Sequence, residues 1–252
     1  MDIKVREMSF DQILPNAATY NEEGSYGYKI AVIGKPGTGK STFTSALMKS
    51  KKDIIPFAVV QNGTENSNHF YRKYIPELFI YDEFDEAVLH KTIKRQEDAL
   101  KDMENPWLMV ILDDVTEDSK VLNLPVMQDL FKKGRHYKIL LLLSLQYALD
   151  IRPAIRTCID IAVIFRETRE DMRKKLYTNF ASVVGTYSVF NAVMDAITGD
   201  HTALVINNMV DSNDPSDCVF YMKVEDLDDD FKFGSRIFHK YGERFGSSGR
   251  SD

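Results

Sequence analysis

Residues 28–42 read YKIAVIGKPGTGKST, and this stretch decides the fold. Its first six residues form a short, mostly apolar run of the kind found in a strand buried on both faces. Gly34-Lys35-Pro36-Gly37-Thr38-Gly39-Lys40-Ser41-Thr42 follows at once and contains G-x-x-x-x-G-K-[ST]. A helix-period segment, residues 40–50, comes next. Strand, glycine-rich turn and helix in that order form the loop that cradles phosphates. Glycines let the backbone wrap an anion with its N–H groups pointing inward, in conformations that a Cβ would obstruct. The helix starting near Lys40 adds its positive N-terminal end. Lys40 is placed to reach the β- and γ-phosphates, and the Ser41 hydroxyl is placed to ligate Mg²⁺. The whole run Gly34–Thr42 is the expected nucleotide-binding loop, and ATP with Mg²⁺ the expected ligand.

On either side of that loop, short apolar runs alternate with helix-period segments. Strands are predicted at residues 28–33, 56–61, 78–81, 108–112, 139–145, 159–165, 203–206 and 218–222. Helices are predicted at residues 40–50, 84–103, 124–131, 170–179 and 188–197. Strands separated by helices imply right-handed crossovers and a mainly parallel central sheet flanked by helices, an α/β fold. The last two strands, joined across an Asn-Asp-Pro turn signal at residues 213–215, read as an antiparallel pair at the sheet edge. The expected organisation is a leader or small appendage at 1–27, the core at 28–225, and a basic segment with a flexible tail at 226–252.

Two further strand tips carry chemistry. Residues 107–112, WLMVIL, end in Asp113-Asp114. Asp113 is placed to hold the Mg²⁺ shell as a second-strand acid, and Asp114 to orient or deprotonate a water at the γ-phosphate. Residues 139–145, ILLLLSL, end on Gln146, a polar amide placed to sense the γ-phosphate and the attacking water.

These pieces, GKPGTGKST, WLMVILDDV and DLFKKGRHYKILLLLSLQY, resemble the DNA-packaging ATPases of the nucleocytoplasmic large DNA viruses, the poxvirus-type branch of the FtsK–HerA superfamily. The resemblance spans roughly residues 28–225. It departs at Tyr147, which follows the sensor Gln where a small hydroxyl residue is expected. The resemblance implies a RecA-like core, ATP hydrolysis in a ring-shaped homo-oligomer, and translocation of double-stranded viral DNA into a capsid. It further implies capsid or membrane-vertex partners, and a soluble protein at cytoplasmic assembly sites or in the virion. Residue by residue it supports Lys40, Ser41, Asp113, Asp114 and Gln146.

Ring ATPases complete the site with an arginine from a neighbouring subunit. Arg135, just before the sensor strand, and Arg156, after it, are the nominated residues, with Arg152 beside them. His136 has no partner pattern for nucleophilic or metal work and reads as structural. Cys158 and Cys218 sit in apolar runs and read as buried small hydrophobes.

Composition sets the outer bounds. The chain has 252 residues, 44% hydrophobic and 28% charged, enough to bury a full core. No apolar run approaches the roughly 20 residues of a membrane span, so no direct membrane insertion is expected. The formal charge of −6 excludes a protein that coats nucleic acid through bulk positive charge. Local basic clusters at 132–138, at 166–175 and near the C-terminus remain compatible with a ring that grips DNA by a few residues per subunit. The acidic run at 225–230 would lie away from any channel. A nucleotide kinase is the alternative, but a kinase must exclude water, whereas Asp114 and Gln146 suit its activation. A GTP switch lacks its guanine-reading Asn-Lys-x-Asp.

Overall fold

Five residues of the nucleotide-loop strand and seven of the sensor strand are all buried, and these two strands lie side by side at the centre of the sheet. The computed structural model describes residues 4–115, 120–147, 151, 153–224 and 230–246. The strands are β1 (Arg6–Glu7), β2 (Lys29–Ile33), β3 (Phe57–Asn62), β4 (Ile80–Tyr81), β5 (Leu108–Asp113), β6 (Ile139–Leu145), β7 (Ile161–Ile164), β8 (Thr202–Asn207) and β9 (Val219–Lys223). The helices are α1 (Lys40–Lys51), α2 (Glu65–Asn68), α3 (Glu86–Asp102), α4 (Pro125–Lys133), α5 (Pro153–Arg156), α6 (Glu170–Phe180), α7 (Tyr187–Ile197), α8 (Pro215–Cys218) and α9 (Arg236–Gly246).

One sheet holds all nine of these strands in the order β1-β9-β8-β7-β2-β6-β5-β3-β4. Strands β7, β2, β6, β5, β3 and β4 run parallel, and β8 is antiparallel to both of its neighbours. The late antiparallel pair is present, and the two-residue β1 lies parallel to β9 outside it. A strand that short covers the outer hydrogen-bonding edge without offering a long edge of its own.

The apolar runs are continuous because the sheet is covered on both faces. Along β6, Leu140 and Leu142 face one core layer, while Ile139, Leu141, Leu143 and Leu145 face the other, the period of two that a pleated strand imposes. The first layer is filled by Phe43 and Leu47 of α1, Trp107, Tyr71 and Tyr74. The second is filled by Val126, Leu130 and Phe131 of α4, Phe180 of α6, and Phe190 and Met194 of α7. Each such side chain contributes about 1.5–3 kcal/mol on leaving water.

Residues before β2 are bound onto this core. Met8 and Ile13 are buried in its first layer. The Lys51 ammonium donates to the carbonyls of Phe10 at 2.8 Å and Ile13 at 2.7 Å, and the Trp107 indole N–H donates to Tyr20 O at 2.9 Å. After β9, Phe231, Phe233 and Phe238 are buried and α9 extends to Gly246, so a helix stands where residues 226–252 read as a basic segment and tail. The acidic run lies outside the described residues except for Asp230, and the end of the tail, 247–252, also lies outside them. The strand expected at 78–81 shrinks to Ile80–Tyr81, because a single 3-10 turn, Glu77–Phe79, follows Pro76. Cys218 is buried as expected; Cys158 is only half-buried.

Candidate nucleotide site

In a parallel sheet the carboxyl ends of the strands share one rim, and ligands bind there. Strands β2, β5 and β6 bring the glycine loop, the acid pair and the amide to that rim. Lys35, Gly37, Gly39, Lys40, Ser41, Thr42, Asp113, Asp114 and Gln146 line one cleft with Thr64, Asn68, Phe70 and His201.

The loop has the geometry of a phosphate cradle. Gly37 and Gly39 have φ of 76° and 114°, left-handed values that favour glycine. A Cβ on Gly39 would lie 2.9 Å from Phe165 and 3.0 Å from His201 Nδ1, so glycine is also required by space. The Thr38 hydroxyl donates to Lys35 O at 2.7 Å and closes the turn. The Lys40 ammonium is buried and donates to Gly34 O at 2.7 Å, folded back along the loop. Lys35 pairs with the Glu167 carboxylate at 2.6 Å and donates to the Thr168 hydroxyl at 3.1 Å. Burial pushes the Glu167 carboxyl up, but the backbone N–H groups of Arg169 and Thr168 and the Lys35 ammonium outweigh it, so its pKa falls below the ordinary value.

The acid pair divides its roles by partner. Asp113 accepts a hydrogen bond from the Tyr71 hydroxyl at 2.7 Å, and Tyr71 is itself wholly buried. Burial raises the Asp113 pKa; the Ser144 and Tyr71 hydroxyls and Lys40 oppose that rise, and the Asp114 charge adds to it. Burial likewise holds the Tyr71 phenol well above its ordinary pKa, reinforced by the Asp113 charge. Asp114 has φ of 51°, a left-handed value uncommon outside glycine. Its Oδ2 accepts from Gln146 Nε2 at 2.8 Å, whereas its Oδ1 is buried with no hydrogen-bond partner among the described residues. The first acid is thus held by a phenol and the second by the amide that ends the next strand.

These residues fit Mg²⁺. Ser41 and Asp113 line the cleft and supply the hard oxygen donors this ion takes, and the neighbouring Asp114 has a buried oxygen without a hydrogen-bond partner among the described residues. Among the described residues no group of three or more His, Cys, Asp and Glu side chains could hold a metal. Ser41 and Asp113 are the residues that would hold such an ion, a one- or two-ligand set of the kind Mg²⁺ takes beside substrate phosphates. It would supply neutralisation of phosphate charge.

The nominated arginines lie elsewhere. The Arg135 guanidinium pairs with buried Asp160, contacts Met209 Sδ at 2.8 Å and covers the Tyr26 ring at 4.9 Å. Asp160 in turn pairs with Lys29 at 3.1 Å, at the amino ends of β2 and β7 and so across the sheet from the cleft. Arg156 donates to Asn179 of α6. Arg152 lies outside the described residues, and His136 is exposed. Two arginines of the basic cluster at 166–175 share a partner: Arg166, just beyond the carboxyl end of β7, and Arg173 of α6. Arg166 and Arg173 both engage Asp195, and Arg166 also donates to Thr198 O at 2.7 Å.

Tyr71, Thr64, Asn68, Phe70 and His201 escaped the sequence reading. A signal for the β3 side existed: β3 pairs with β5 so that Asn62 lies beside Asp113, and the polar Asn-Gly-Thr-Glu tip therefore opens at the same rim. Asn62 Nδ2 donates to the wholly buried Glu65 carboxylate at 2.8 Å and fixes the start of the segment that carries Tyr71. His201 had no such signal.

Fold and site together define a P-loop NTPase with a mostly parallel, RecA-like core. Within that class the chain belongs to the poxvirus A32 protein family, which matches residues 19–234. It is 44% identical over 245 residues to uncharacterized protein 088R of Invertebrate iridescent virus 3, covering 96% of this chain and 94% of that one. It is 36% identical over 242 residues to uncharacterized protein 015R of Frog virus 3, covering 95% and 74%. Among solved structures, B204, the DNA-packaging ATPase from Sulfolobus Turreted Icosahedral Virus, superposes with a TM-score of 0.60 at 15% identity, over 80% of this chain and 98% of that one. The pCW3 conjugation coupling protein TcpA gives 0.56 at 14% identity, over 87% and 65%. At these identities the two structures establish a shared fold.

Proposed function

We propose that this protein is an ATP-hydrolysing motor that translocates double-stranded viral DNA into the capsid during genome packaging, working as a ring of identical subunits with Mg²⁺. The observation that carries the reading is the Gln146–Asp114 hydrogen bond beside the phosphate loop. A base held by the amide that would sense the γ-phosphate suits activation of water. A nucleotide kinase would instead need to keep water out. Membership of the poxvirus A32 family and the fold shared with a packaging ATPase support the biological setting.

In this reading Lys40 and the loop N–H groups bind the β- and γ-phosphates, and Ser41 and Asp113 hold the ion. Asp114 takes a proton from the attacking water, and Gln146 reports the γ-phosphate to the loop after β6. Arg135 and Arg156 each have a partner within the subunit, so a trans role for either requires that partner to be exchanged on assembly. The capsid or vertex contact and residence at cytoplasmic assembly sites or in the virion belong to the same proposal. Among the described residues no helix is long and apolar enough to cross a membrane.

The test is phosphate release from ATP by oligomeric protein, with and without long double-stranded DNA, beside Lys40→Ala and Asp114→Asn. DNA-stimulated turnover that both variants lack supports the motor. Turnover indifferent to DNA, with phosphate passed to a nucleotide acceptor, refutes it. Mixing Arg156→Ala or Arg135→Ala subunits with Lys40→Ala subunits then tests each arginine in trans.

A further inference from the structure

The cleft has two unlike ends. Asp113, Asp114 and Gln146 come from β5 and β6, on one side of β2. On the other side stand β7 and β8, and here the lining residue is His201, immediately before β8. The P-loop lysine reaches the terminal phosphates, and the loop backbone cradles the inner ones. A triphosphate whose γ end points at the acid pair must therefore carry its nucleoside out on the β7–β8 side.

His201 occupies that exit. Its Nδ1 lies 3.0 Å from where a Gly39 Cβ would stand, so the imidazole closes directly on the last loop glycine. Its side chain is exposed, and among the described residues no hydrogen bond or ion pair engages the ring. The backbone holds it there under strain: Asp200 and His201 are consecutive non-glycine residues with φ of 48° and 57°. Such conformations persist when the surroundings impose them, and they cluster at ligand sites. The Asp200 carboxylate pairs with Lys223 of β9 at 3.5 Å, and Thr202 N donates to Gly199 O at 2.8 Å, so the turn is tied on both sides of the ring.

We infer that His201 is the nucleoside-side residue of this site, its imidazole packing on the heteroaromatic base and its presence setting the preference for a nucleotide over a bare polyphosphate. This rests on the nucleotide reading of the cleft, and it adds the determinant for the part of the ligand that the phosphate loop does not touch. Base–aromatic stacking is tolerant of base identity, so the ring would select for a base rather than among bases.

The experiment compares ATP with inorganic tripolyphosphate, which carries the phosphates without a nucleoside. Binding is measured by calorimetry and hydrolysis by phosphate release, for the parent, His201→Ala and His201→Asn. Asn tolerates the left-handed backbone and lacks the aromatic ring. Both variants are expected to weaken ATP binding and raise KM about five- to tenfold, the loss of one stacking contact, with kcat and tripolyphosphate affinity unchanged. Equal losses for ATP and tripolyphosphate, or wild-type ATP affinity in either variant, would overturn the assignment. If the parent binds ATP but releases no phosphate, the hydrolysis reading fails, while the ratio of the two affinities still decides the role of His201.

Discussion

Removing one oxygen atom, in Tyr71→Phe, tests how the site tolerates its buried acid. The Tyr71 hydroxyl donates to Asp113 at 2.7 Å, and the phenol is wholly buried, so no water can replace it without repacking. A hydrogen bond donated to a charged group contributes about 1.5–3 kcal/mol, and one between neutral groups about 1 kcal/mol. Above the Asp113 titration, where the carboxylate carries its charge, the variant should lose about 1.5–3 kcal/mol, or roughly 3–12 °C in Tm for a chain of this size. Asp113 has a pKa raised from its ordinary 3.8, so the folded state holds this proton at higher pH than the unfolded chain does. The stability it contributes is present in acid and lost as pH rises from the ordinary value through the raised one. Deleting the hydroxyl that favours the ionised form raises that pKa further and deepens the loss.

The destabilisation by Tyr71→Phe should therefore be about twice as large above the Asp113 titration as below it. Urea unfolding of parent and variant at two pH values measures it, and Asp113→Asn, alone and combined with Tyr71→Phe, isolates the pair as a coupling energy. A penalty independent of pH, or one that survives undiminished in the Asp113→Asn background, would refute the reasoning. The hydroxyl would then be acting through packing, not through the charge.

Four further outcomes follow from the same geometry. Gly39→Ala should cost about 1–3 kcal/mol of stability from its φ of 114° and abolish measurable nucleotide binding in calorimetry, because its Cβ would meet Phe165 at 2.9 Å. Asp114→Asn should retain ATP affinity while slowing phosphate release by a factor on the order of 10²–10⁴; hydrolysis equal to the parent removes Asp114 as the base. Lys51 is buried and its pKa falls to about 8, so between pH 8 and its ordinary 10.5 the unfolded chain holds the extra proton and stability rises with pH. Lys51→Met should flatten that rise in urea midpoints. Glu167→Gln should weaken stability at neutral pH and leave acid stability closer to the parent's, since a carboxyl with a depressed pKa contributes above its ordinary 4.5 and loses that contribution as pH falls.

What could be read in advance follows from where parallel strands end. Gly34, Asp113 and Gln146 each sit at the carboxyl tip of a buried apolar run, and such tips share one rim. Their convergence therefore required only the order of strands and a parallel direction. Asn62 obeys the same rule and was legible on the same terms. Tyr71 and His201 are different in kind. Tyr71 reaches Asp113 only because Glu65 and Asn62 fold the intervening segment back across the rim, and His201 arrives by the return of β8 antiparallel to β7. Neither path leaves a period or a motif in the chain. The same limit applies to β1, whose two residues pair with a strand more than 200 positions away, and to α9, where Gly242 fits against Pro76 because a Cβ there would lie 2.2 Å from it. Arg135 shows the converse. Its place before the sensor strand suggested a role at the phosphates, yet that loop opens at the amino ends of the strands, where Asp160 awaits a cation. Proximity in sequence to a strand's start places a residue at the rim opposite the site. For an arginine to serve a neighbour's phosphate from there, the subunits must stack one carboxyl rim against another's amino rim, a head-to-tail contact of the kind that closes a ring.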